Sequence, residues 1–266
     1  MRKTLFAASC GILLLFGADH ASAEDSSSPF GTQKAQEKPP RSVEDVALSE
    51  RLQDLIANKL QQYVTRPQDR TAVEAFYRER DFAPLWANAG GPLPATQKVI
   101  DFLHGVAADG LDPRDYPTPT FADRSPERLA TVELALTNSV VTFVRHASTG
   151  RVAFSRVSGS IYFDLKSPDL QQVLEKIASS HDIAATLDSF DPQQPQYKKL
   201  KAALARAREK GDANVVSPAR AQQNGGSQSK VAGVRIDAIL ANMERWRWLP
   251  RDLGIAYVMV NLLTTP

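Results

Sequence analysis

Cys10 is the only thiol in this 266-residue chain, and its position decides which covalent chemistries are open. A cysteine nucleophile works as the thiolate, which needs a neighbouring base or cation to form it. Cys10 instead lies inside an apolar stretch running from Leu5 to Phe16, with Arg2 and Lys3 before it and Ala21-Ser22-Ala23 after it. A basic start, a short apolar core and small residues at Ala21 and Ala23 make the layout of a secretory signal peptide cut before Glu24. The apolar run is too short to span a bilayer, which takes about 20 residues. A lipoprotein reading of Cys10 fails, because most of the hydrophobic stretch follows the cysteine instead of preceding it. The expected product is exported to the periplasm or cell envelope without thiolate chemistry or disulfides.

Other reactive residue types fare little better. His104, His146 and His181 fall one per helix end, with no i, i+4 pair and no H-E-x-x-H, so no metal site is assigned. Ser227 and Lys230 form a Ser-x-x-Lys match, which in serine acyltransferases sets the lysine one helical turn from the nucleophile. Here it falls in a Gly/Gln/Ser-rich stretch and reads as chance. Asp109, Asp112 and Asp115 miss the spacing of a calcium loop, and Asp112 before Pro113 reads as a cap. Arg245, Trp246, Arg247 and Trp248 are the binding candidates, since aromatic faces and guanidinium groups stack on sugars or bases. The alternative, which we favour, is that both indoles anchor a helix end against a neighbouring domain while the arginines cover them. The basic face from Lys198 to Lys210 reads as solvated helix surface, with weak contact to anionic wall polymers as the alternative. No catalytic residue and no cofactor is assigned.

The elements that must position these residues are mainly α. Hydrophobic residues make up 42% of the chain, enough for a core, and the formal net charge of +2 gives no argument for nucleic acid. No second apolar run is long enough to cross a membrane after signal removal. Residues 24–41 are polar and Pro/Ser-rich and read as a disordered tether. From Ser42 to about residue 210, apolar residues recur at helical spacing. Thr71 and Glu74 suggest a capping box, and Gly110 a helix stop. Ser125-Pro126, Ser167-Pro168 and Asp182 suggest further helix starts. The helix over about 127–146 carries Leu134, Val141 and Val144 off its main stripe, which places it centrally. Residues 151–163 read as extended loop or a short strand. Residues 211–233 read as a flexible linker, and residues 234–254 as a helix with a Trp-rich junction. Ile255 to Leu263 reads as a strand with no evident partner.

Particular residues carry a resemblance. Asn242-Met243-Glu244-Arg245-Trp246-Arg247-Trp248-Leu249-Pro250, then Leu253-Gly254 and Tyr257 to Asn261, are joined by two earlier stretches: Phe76-Tyr77 with Pro84-Leu85-Trp86, and Asp109-Gly110-Leu111-Asp112-Pro113 with Asp115-Tyr116. In these the chain resembles the large murein L,D-transpeptidases at the start of their catalytic domain. The resemblance implies a helical scaffold, often with a peptidoglycan-binding module, followed by a β-rich domain whose cysteine, in a Ser-His-Gly-Cys-type motif, makes peptide cross-links. No residue after Cys10 matches that cysteine, and the linker is too short to be the binding module. The expectation is therefore a helical scaffold over 42–210, without its engine, with 255–266 the truncated start of the catalytic domain. The partners this implies are peptidoglycan or the missing catalytic domain. A stand-alone module binding peptidoglycan or an envelope protein, or an inert truncated product, are the alternatives. N-terminal sequencing of the exported protein should begin at Glu24; an intact Met1 would contradict the signal-peptide reading.

Overall fold

Ser42 opens the first helix: its hydroxyl accepts a hydrogen bond from the Asp45 N–H (3.1 Å) and meets one of the donors that the first turn leaves open. The computed structural model describes residues 42–157, 165–212 and 227–251, with side chains to residue 209 in the second stretch and from residue 236 in the third. All belong to a single compact unit. The helices are α1 (Val43–Tyr63), α2 (Pro67–Glu79), α3 (Pro94–Gly105), α4 (Pro126–Thr149), α5 (Leu170–Ala178), α6 (Ile183–Asp188), α7 (Pro195–Asp212) and α8 (Ser227–Arg247). A two-residue hairpin pairs β1 (Ala87–Asn88) with β2 (Gly91–Pro92) antiparallel. The fold is mainly α. Among the described residues, no helix is long and apolar enough to cross a membrane.

The core is built around α4. Its buried side chains include Leu129, Val132, Leu134, Leu136, Val140, Val141, Phe143 and Val144, which cover more than one face. The off-stripe residues are thus explained by surrounding elements: α1 lies along α4, and β1, α8 and the turn at Pro113–Asp115 also reach it. Elsewhere α2 packs on α5, α3 on α6, and α7 on α8. A second cluster joins Tyr197 and Leu204 of α7 to Met243 and Trp246 of α8.

Several helix boundaries differ from the sequence expectation. Thr71 and Glu74 do not cap a helix; α2 begins one turn earlier with Pro67 in its first turn, where the missing N–H costs nothing. Thr71 Oγ1 donates to Pro67 O, and Glu74 pairs with Arg78. Asp169, not Ser167, caps α5 by accepting from Gln171 N and Gln172 N (3.1 and 3.2 Å). Within 151–163, read as extended loop or a short strand, Phe154–Arg156 form a single turn of 3-10 helix, and residues 158–163 lie outside the described residues. The linker is shorter than its composition implied: α7 continues to Asp212 and α8 starts at Ser227. Packing of Ile236, Ile239, Leu240 and Met243 against α7 outweighs the weak helix propensity of the preceding Gly/Ser/Gln stretch. The signal segment, the tether and the Ile255–Leu263 strand lie outside the described residues.

One buried carboxylate organises the turn after α2. Glu133, fully buried on α4, accepts from Tyr77 Oη (2.8 Å), from the Leu85 N–H, and from the Trp86 N–H at Oε2 (3.0 Å). Thr137 Oγ1 lies 2.7 Å from Tyr77 Oη and accepts from Trp86 Nε1 (2.9 Å). The chain reaches Glu133 by bending through Asp81 and Phe82, both left-handed (φ 51° and 54°) although neither is glycine. Such a conformation is a true outlier for a bulky residue and persists where neighbouring contacts impose it.

Burial pushes the Glu133 carboxyl up to about 7, against the pull of the donors from Leu85, Tyr77 and Trp86 and of the Arg80 charge. A carboxyl raised in the fold contributes stability that is present below its ordinary value of 4.5 and lost as pH rises through about 7. That loss is on the order of 3 kcal/mol. His146 acts oppositely: burial and nearby arginines lower it from 6.5 to about 4, so its contribution is lost as pH falls. Comparing the native chain with Glu133→Gln by urea unfolding between pH 4.5 and 7.5 separates the two. Asp191, raised by burial to about 6, adds its own decline below that pH, so the variant should differ most between about pH 6 and 7, where it lacks the decline; parallel profiles in that window would contradict the assignment.

Candidate functional site

The junction residues singled out in the sequence fold back onto the scaffold. Arg247, at the end of α8, has its side chain 1% exposed. Its Nη2 faces three acceptors: Asp109 O at 2.6 Å, Tyr197 Oη at 2.7 Å and Asp191 Oδ1 at 3.2 Å. Two hydrogens shared among three acceptors make at least one bond bifurcated. Tyr197 Oη also donates to Asp191 Oδ1 (3.1 Å), and Arg247 Nη1 reaches Glu244 Oε2 at 3.4 Å. Burial works against the Arg247 charge, but Tyr197, Asp191 and Glu244 hold it above its usual range. Burial raises Asp191 to about 6 although Arg247 pulls it down.

Around that centre, backbone segments far apart in sequence are pinned. Glu244 Oε1 accepts from Val152 N (2.8 Å), and Trp248 Nε1 donates to Val152 O (3.0 Å). Arg251 Nη2 donates to Ala147 O (2.6 Å) and Phe190 O (2.8 Å). Two glycines make room. Gly110 (φ +72°) packs beside Leu240 and Met243, and Gly150 (φ +85°) would place a Cβ 2.6 Å from Trp248 Nε1.

The four binding candidates therefore have different fates. Trp246 packs with Tyr197, Leu204 and Met243, and Trp248 is 4% exposed, so neither indole offers an open face for stacking. Arg247 is itself interior. Arg245 alone is exposed, bonded to Asn242 Oδ1 (2.9 Å). Of the three clustered aspartates, Asp109 pairs with Lys201, Asp115 with Arg151 (2.6 Å), and Asp112 accepts from Arg114 N (3.0 Å) and its guanidinium, which holds Asp112 down at about 2. Lys201 and Arg208, expected on the solvated face of α7, turn inward instead: Lys201 reaches Asp109 and Asp188, and Arg208 donates to Ala107 O. His146 Nδ1 lies 2.9 Å from Tyr116 Oη and His104 Nε2 lies 2.8 Å from Thr118 Oγ1, while His181 is exposed. Ser227 and Lys230 stand in the first turn of α8, on helix and not on linker.

The sequence pattern places Tyr197 on the inward face of its helix, where it is buried, but does not single out Glu133 or Asp191. Glu133 had a signal, because it occupies an apolar-stripe position four residues after Leu129; Asp191, in an ordinary Asp-Pro turn, had none.

A scaffold-domain family model matches residues 71–204, half of the chain. The chain belongs to the scaffold-domain family. No curated protein and no solved structure matches it. The matched scaffold stretch begins inside α2 and ends inside α7, so α1 and α8 are additions to it in sequence but not in packing. Replacing Arg247 tests that. Arg247→Ala should cost the scaffold about 3–5 kcal/mol, because Asp191 is left buried and uncompensated, whereas Arg245→Ala should change it by less than about 0.5 kcal/mol. Equal effects in chemical denaturation would contradict the assignment of the centre to Arg247.

Proposed function

We propose that this chain is the non-catalytic scaffold portion of a peptidoglycan L,D-transpeptidase, exported to the cell envelope. The observation that carries this reading is which residues meet. Phe76-Tyr77 and Pro84-Leu85-Trp86, quoted for the resemblance, are joined through Glu133. Asp109-Gly110 and Met243 to Trp248, also quoted for it, are joined through Arg247 and the close approach at Gly110. Side chains that only stabilised separate helices would have no reason to link those segments pairwise. Membership of the scaffold-domain family supports the same reading at a coarser level.

Acyl transfer of this type runs through an activated thiolate. Cys10, in the expected signal segment, is the one cysteine of these residues, so a thiolate for the reaction comes from outside them. The scaffold's contribution is then to bind wall polymer or a catalytic partner. Incubating the purified mature chain with isolated peptidoglycan sacculi tests both halves. Retention on the sacculi with no new peptide cross-links in the released muropeptides is the expected result. Cross-links formed by the chain alone would overturn the non-catalytic assignment, and absence of retention would leave an envelope protein as the partner.

A further inference from the structure

Where α5 begins against α2, a cleft of about 320 Å³ is lined among others by Arg66, Asp69, Ala72, Arg145, Pro168 and Gln171. Arg66, at the start of α2, and Arg145, on α4, meet on one carboxylate: their Nε atoms lie 3.9 and 3.6 Å from the same Asp69 Oδ2. One negative charge thus faces two positive ones. Asp169, the other acid of the wall, is committed to α5, where its Oδ1 accepts from Gln171 N and Gln172 N. Both Arg–Asp69 separations exceed hydrogen-bond length. Among the described residues neither guanidinium donates a hydrogen bond to any acceptor. Arg145 Nε is sealed from solvent, but its two Nη groups, equally unpartnered, keep accessible surface; the side chain is 16% exposed. Those Nη groups, and not Nε, are the donors that a ligand can reach. Burial and the Arg66 charge push Arg145 below its usual range against the pull of Asp69, as befits a cation short of an anion.

We propose that this cleft binds the free carboxylate end of a short peptide with small side chains. The carboxylate takes the Arg145 Nη fork, whose planar pair of donors matches its two oxygens. Arg66, exposed at the rim, adds its charge. Gln171 Nε2 is committed to Glu175 Oε1 (3.1 Å), which leaves Gln171 Oε1 to accept the peptide N–H. Ala72, Ala75 and Pro168 give the cleft an apolar lining of short side chains, which suits a methyl group on the ligand. The cleft is at the small end of the range for ligand pockets and fits a chain end of about one or two residues. The site goes beyond the transpeptidase reading and does not rest on it, because no residue of this cleft belongs to a segment that carries the resemblance.

The test is a titration of the full mature chain with N-acetylalanine, followed by amide NMR shifts of residues 169–172. N-acetylalaninamide, the same body without the charge, serves as the control, and inorganic phosphate as the competing anion. Saturable shifts with N-acetylalanine, none with the amide and weaker binding of phosphate are expected. Arg145→Lys keeps a charge opposite Asp69 but removes the fork, and should weaken binding about tenfold, the equivalent of one charge-assisted hydrogen bond. Arg66→Gln removes only an exposed charge, and should weaken it about threefold with the unfolding midpoint unchanged. No saturable shift, equal shifts with the amide, tighter binding of phosphate, or an affinity that Arg145→Lys leaves unaltered would overturn the proposal.

Discussion

A guanidinium buried at the end of the last helix sets the constraint on everything around it. A charge taken out of water costs several kcal/mol unless partners replace its hydration. For Arg247 those partners come from three separate places: the turn that ends at Gly110, the Asp191 corner before α7, and the α7 ring of Tyr197. None of the three can relax without exposing the cost of the other two. α8 is therefore held by position-specific bonds as well as by the apolar contact of Met243 and Trp246 with α7. Hydrophobic contact alone tolerates sliding; a forked donor between fixed acceptors does not.

Glu133 plays the matching part at the other end of α4. It accepts hydrogen bonds from a phenol and two backbone N–H groups. Burial outweighs those donors and the Arg80 charge and lifts its titration to near neutrality. The same bonds hold the strained Asp81-Phe82 bend and seat Trp86, whose carbonyl accepts from Thr96 at the start of α3. Each polar group thus fixes one irregular segment against the regular helices. In a mainly helical protein those segments are where backbone groups lack partners.

Periodicity made most helices legible. The all-round burial of α4 followed from Leu134, Val141 and Val144, and the stops and starts at Gly110, Ser125 and Asp182 followed from local backbone chemistry. Boundaries failed where local signals competed: Pro67 outranked the Thr71/Glu74 pattern, and Asp169 outranked Ser167 two residues earlier. The linker ran long because Gly, Ser and Gln describe solvent exposure, not the tertiary contact that extends α8 back to Ser227. The Arg-Trp-Arg-Trp segment was found by composition, but which arginine was interior was invisible, since it depends on acceptors more than fifty residues away. The meeting of Arg66 and Arg145 on Asp69 is likewise a product of the fold.

Whether α8 is truly part of the scaffold is best read by native-state hydrogen exchange. Amides of residues 236–248 should exchange together with those of α4, at the rate of global unfolding, because both are tied to the same buried centre. Rapid exchange across 236–248 while α4 stays protected would contradict this, and would make the junction a separate appendage on a scaffold that ends with α7.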